Sequence, residues 1–162
     1  PADRAPKPPA NGVNYYNIAA SVGELFNFGI IDPTSAIADA TLAAFDRELG
    51  GLSSGSPGMK RTNKRCPPGF GGCVQIGSDW YNGYDIKEWI FVDFRVLQLL
   101  RMRPDPVSQA LATRLYDWIF AQTAFNFDEI AELYDETTAA YAGSVPMCGF
   151  GPGAFLIDLT MR

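Results

Sequence analysis

The chain has 162 residues and a net charge of −5, with 47% of its residues apolar and 13% aromatic. That length suffices for one domain with a sizeable core, and that composition excludes a disordered chain. It contains no histidine, which excludes Ser-His-Asp and Cys-His catalysis, imidazole zinc sites and histidine general bases.

The chain opens with PADRAPKPPANG, which carries four prolines in its first nine positions. Residues 1–13 therefore read as an extended arm, the start of a processed mature protein or of a trimmed chain. Residues 14–162 read as a single helical domain. The first helix is expected over about Asn14–Phe28. There Tyr15, Ile18, Ala19, Val22, Leu25 and Phe26 follow helical spacing, and Gly29 is a stop signal. A second begins at Asp32-Pro33, an N-cap followed by proline at the first helical position, and runs to Leu49 before Gly50-Gly51.

Residues 50–84 hold nine of the 16 glycines and read as one long irregular segment, a feature that often marks function or an interface. Within it Lys60, Arg61, Lys64 and Arg65 cluster, either as a solvated loop or as a contact for phosphate or an acidic partner. Cys66 and Cys73 bracket PPGFGG, a spacing that closes a small loop easily. A disulfide there implies an oxidising compartment; the competing picture is three reduced thiols, with Cys148 the third. Phe70, Trp80, Tyr81 and Tyr84 form an aromatic patch, and Tyr15 and Tyr16 follow the arm. These aromatics suit either a partner interface or a lid over the core.

A third helix is expected over about Asp85–Met102 and a fourth from Asp105-Pro106 to about Thr123. A fifth is expected over Asp128–Ala142, stopping at Gly143, and Ser144–Arg162 read as a short strand or an irregular cover. The architecture expected is thus all-α, a bundle of four or five helices. On helical wheels Asp93 falls in the apolar arc of the third helix, with Ile86, Trp89, Ile90, Leu97 and Leu100. Arg114 falls in that of the fourth, with Val107, Ala110, Leu111, Leu115, Trp118 and Ala121. Asp93 lies eleven residues before Pro104 and Arg114 ten after it. Folding the pair of helices about Pro104 predicts a partly buried Asp93–Arg114 ion pair.

Chemistry-bearing motifs are scarce. Glu132, Asp135 and Glu136 fall opposite Ile130, Leu133, Tyr134 and Tyr141 on the fifth wheel, the pattern of a solvated face rather than of a catalytic carboxylate pair. No phosphate loop, calcium loop or cysteine zinc motif occurs, and no cofactor, catalytic residue or metal ligand is expected. No stretch is long and apolar enough for a transmembrane span. The acidic balance disfavours nucleic acid. Residues 115–161 contain seven acids and no Lys or Arg, a polarity suited to electrostatic docking.

The expectation is a non-catalytic accessory or scaffold subunit that docks onto other protein subunits. Its setting would be a larger assembly, such as the periphery of a photosynthetic or respiratory membrane complex in a thylakoid or mitochondrial lumen. One alternative is a secreted or lumenal disulfide-stabilised binding protein with an aromatic ligand site. A second is a carboxylate-dependent hydrolase.

Overall fold

A computed structural model of the chain describes residues 20–52, 57–63, 65–135, 138, 140, 142 and 150–160. Tyr15, Tyr16, Lys64, Cys148 and the proline-rich arm lie outside these residues. In chain order the elements are a 3-10 turn (Ala20–Gly23), α1 (Glu24–Asn27), α2 (Ala36–Leu49), β1 (Cys73–Ile76) and β2 (Asp79–Asn82). There follow β3 (Glu88–Trp89), α3 (Ile90–Arg101), α4 (Pro106–Phe125), β4 (Leu133–Tyr134) and α5 (Phe150–Thr160). Helices hold 51% of the described residues, but among those residues two antiparallel two-stranded sheets accompany them, so the architecture is mixed α/β and not all-α.

Local chemistry sets most helix ends. The Ser35 hydroxyl caps α2 by accepting from Ala38 N–H at 3.3 Å. Asp32, expected as that cap, instead closes a turn by accepting from Thr34 N–H at 2.8 Å. Asp105 caps α4 by accepting from Ser108 N–H at 2.8 Å, with Pro106 at the first helical position as expected. Gly29 and Gly50 take positive φ, 68° and 92°, where the chain leaves the helices.

α3 is the centre of the molecule. Val92, Phe94, Val96, Leu97, Leu99 and Leu100 are all buried on it, with α4 and α5 packed on its flanks. From α4 the core receives Ala112, Leu115 and Ile119, and from β4 it receives Leu133 and Tyr134. α5 covers α3 and α4 through Ala154 and Phe155, the latter ring 5.7 Å from that of Phe94 and 5.9 Å from that of Phe120. Its Asp158 is fully buried and ion-paired with Arg101. The guanidinium of Arg101 also lies 5.1 Å from the ring centre of Tyr116.

Two expected elements are replaced. In place of a fifth helix over 128–142, Leu133–Tyr134 pair antiparallel with Glu88–Trp89. Phe127 and Asp128 both take φ of 61°, which no L-residue in a right-handed helix can do, so the chain turns away after α4. The tail forms a helix, because Pro152 sits in its first turn where a missing N–H costs nothing.

Asp128 N–H closes the end of α4 on the Thr123 carbonyl at 2.9 Å, with Phe127 in the left-handed position that glycine usually fills. Phe127 is 93% exposed, so its ring offers no packing in return. Phe127→Gly is expected to stabilise the protein by about 1 kcal/mol. A melting temperature below that of the wild type would contradict this geometry.

Candidate functional site

The expected Asp93–Arg114 pair does not form. The inward face of α4 is Ser108, Ala112, Leu115, Ile119 and Gln122, one residue round from the expected arc; Val107, expected inside, is 69% exposed. That rotation carries Arg114 to the edge of the helix, where Nη1 donates to the Leu52 carbonyl at 2.6 Å.

Asp93 instead meets another acid. It sits in the first turn of α3, fully buried, and Oδ1 accepts from Met59 N–H at 2.8 Å. Glu88 arrives from β3, 1% exposed, and its negative charge acts on Asp93. Its Oε1 accepts from Trp118 Nε1 at 2.8 Å and Gln122 Nε2 at 2.7 Å. Burial pushes the Asp93 carboxyl well above the ordinary aspartate range; the negative charge of Glu88 adds to it. The Met59 N–H pulls weakly the other way. Glycine at 58 is required here: a Cβ on it would lie 1.9 Å from Glu88 Cδ. Paired carboxyls are the raw material of acid–base hydrolysis. Both are buried, with Met59 N–H on Asp93 and Gly58 against the Glu88 carboxyl.

Beside this pair lies an aromatic and charged cluster. Arg61 is ion-paired with buried Asp85, and its guanidinium lies 4.5 Å from the Trp89 ring centre and 5.8 Å from that of Tyr84. The Tyr84 and Trp89 rings meet edge to face at 4.9 Å, and the Tyr84 hydroxyl donates to Glu132 Oε1 at 2.9 Å. Arg65 is ion-paired with Asp79 and lies 5.4 Å from the Tyr81 ring centre. Two members of the expected basic patch, Arg61 and Arg65, are thus neutralised within the fold. Lys60 joins Glu88 through a backbone bridge, while Arg61 and Arg65 each meet a carboxylate and an aromatic face.

The remaining expected residues gather on the hairpin of β1 and β2. Cys73–Ile76 pair with Asp79–Asn82 across the two-residue turn Gly77-Ser78, with Gly77 at φ 62°. Cys66 and Cys73 are disulfide-bonded, and Cys66 N–H donates to the Trp80 carbonyl at 3.0 Å, so the bridge ties the preceding segment to β1 and the hydrogen bond ties it to β2. The closed loop displays Phe70, 67% exposed; Trp80 and Tyr81 are half-buried. Val74 and Ile76, which the sequence reading passed over, are also exposed and share one face of β1. Their alternation around Gly-Ser was the available signal.

Closing so short a loop is worth about 2 kcal/mol by chain entropy. A Cys66→Ser/Cys73→Ser double variant is therefore expected to lose amide protection on the hairpin while α3 keeps its own. Equal loss on both elements would show that the bridge supports the whole fold.

Among the described residues no group of His, Cys, Asp and Glu is placed to hold a metal ion. No described helix is long and apolar enough to cross a membrane. Against known protein families, curated proteins and solved structures, the chain finds no match.

Proposed function

We propose that this chain is a non-catalytic accessory subunit that docks onto other proteins through its stapled hairpin. The observation that carries the reading is the contrast between covalent order and exposure. A disulfide, a turn glycine and a strand pairing hold β1 and β2 in place, yet Phe70, Val74 and Ile76 stay in solvent. Rigid, exposed apolar side chains bind at low entropic cost. The two acids support the same reading, because both are buried and bonded to Met59, Trp118 and Gln122. The disulfide favours an oxidising compartment, either an organelle lumen or the outside of a cell.

A photo-crosslinking phenylalanine analogue at position 70 tests this in the cells that make the protein. The expected result is one recurring crosslinked partner from position 70 and none from position 107, an equally exposed site on α4. Indistinguishable crosslinking from the two positions would contradict the assignment.

A further inference from the structure

We propose that the outer edge of β1 receives a strand from the docking partner, and that this strand is an uncharged, extended segment bonded to the backbone of Gln75. This use of the edge depends on the docking role proposed above and gives it a mode, the addition of a strand to an open sheet.

The register decides which backbone groups of β1 are free. Gly83 N–H donates to the Gly72 carbonyl at 2.9 Å, so residues 72 and 83 are a hydrogen-bonded pair. In an antiparallel ladder such pairs alternate with pairs whose N–H and C=O groups point away from each other. Val74–Tyr81 and Ile76–Asp79 are therefore bonded across the hairpin, whereas the backbone groups of Cys73–Asn82 and Gln75–Trp80 point outward. Trp80 displays this on the far side. Its carbonyl accepts from Cys66 N–H at 3.0 Å, and Arg65 bridges to Tyr81, so the outer edge of β2 is occupied. On β1, Cys73 N–H is turned to the Phe70 carbonyl at 3.0 Å. Gln75 N–H and C=O remain, and among the described residues no strand or bridge lies beside them.

Sheets commonly guard such an edge with Lys, Pro or a bulge. Cys73–Ile76 has none of these, since its residues pair one to one with Asp79–Asn82, and Val74, Gln75 and Ile76 are exposed. A strand laid along it would set its own side chains beside Val74 and Ile76, continuing the exposed face of the hairpin.

Charge selects the occupant. Residues 66–78 contain no charged residue, although 19% of the chain is charged. The nearest charges, Arg65 and Asp79, pair with each other. A charged strand would lose water here and gain no counter-ion, so an uncharged one fits. A second copy of this chain fits less well, because two chains of net charge −5 repel each other.

Hydrogen exchange reads the edge directly. In the free chain the Gln75 amide should exchange near its intrinsic rate while the Val74 amide is protected. In the assembly purified from the cells that make the protein, Gln75 should slow by at least about tenfold, the effect of one backbone hydrogen bond, with Val74 unchanged. Gln75→Pro removes the outward N–H at an edge position that tolerates proline, and should release the chain from the assembly; Gln75→Ala keeps the backbone and should not. Protection of the Cys66 amide reports that the Gln75→Pro hairpin still forms, and if it is lost the exchange contrast at Gln75 decides. A photo-crosslinking residue at position 75 should attach to a partner segment as long as β1 and free of charge. Equal Gln75 exchange in the free and assembled chain, a charged segment at the crosslink, or this chain crosslinked to itself would overturn the proposal. An assembly that keeps Gln75→Pro but loses Val74→Glu/Ile76→Lys would overturn strand addition and leave the docking role standing. A wild-type chain that is already free in the extract would overturn both.

Discussion

Gly58→Ala is expected to destabilise the protein by about 3 kcal/mol, the upper end of the cost of overpacking a core. The new Cβ would stand 1.9 Å from Glu88 Cδ and 2.2 Å from each carboxyl oxygen. Such a contact is tolerable only where the neighbour can swing away. Here Trp118 and Gln122 hold one oxygen of Glu88, and the residue is 1% exposed. Either the carboxyl gives up those bonds or the strap of residues 57–60 lifts, and lifting it costs the Met59–Asp93 bond. Urea unfolding should show a lower midpoint at unchanged slope. Combining Gly58→Ala with Glu88→Ala removes the obstructing carboxyl, so the double variant should lose less than the sum of the two single losses. A Gly58→Ala protein with wild-type stability would mean the strap does not lie on Glu88.

Arg101→Met is expected to cost about 3–5 kcal/mol, because it removes the cation paired with the buried carboxylate of Asp158. Asp158 is fully buried on α5, whereas the Arg101 side chain is 25% exposed. The two halves of this pair are therefore unequal. Asp158→Asn leaves an arginine that can turn to water and keeps its place beside Tyr116, and should cost about 1–2 kcal/mol. Arg101→Met with Asp158→Leu together should recover most of the stability, since an apolar pair of similar size avoids desolvating two charges. Thermal unfolding of the four proteins checks the order. Equal losses from the two single variants would show that the carboxylate reaches solvent. Because α5 also buries Phe155 against Phe94 and Phe120, the first sign of failure should be detachment of this helix.

Sequence signals that act locally survived into the fold. Asp105-Pro106 opens α4, Gly29 and Gly50 close their helices, and CPPGFGGC closes on itself. Each depends on a few neighbouring residues. The misreadings came where a distant partner decides. Ile130, Leu133 and Tyr134 have helical spacing, but Glu88–Trp89 offers Leu133–Tyr134 a strand partner. The same pairing delays the start of α3 from Asp85 to Ile90. On α4 the polar residues Ser108 and Gln122 lie inside and the apolar Val107 outside, so hydrophobicity alone turned the wheel by one position.

The burial of Asp93 was legible, and its partner was not. An acid on an apolar face suggests a cation opposite it. Nothing in residue spacing points to a second buried acid five positions earlier whose charge acts on it. The exposed hairpin was hidden for a different reason. Four-residue strands around Gly-Ser, in a segment rich in glycine, resemble an irregular loop until the cross-strand pairs of Val74 with Tyr81 and Gln75 with Trp80 are seen.

The proposed docking role is tested most directly by the native size of the protein in an unfractionated extract of the cells that make it. Size-exclusion chromatography should place the wild-type chain in an assembly well above its own 17.7 kDa. A Val74→Glu/Ile76→Lys chain, which keeps the core and alters only exposed positions of β1, should leave that assembly and elute as a monomer. A wild-type chain eluting at 17.7 kDa, or a variant that stays with the assembly, would contradict the account.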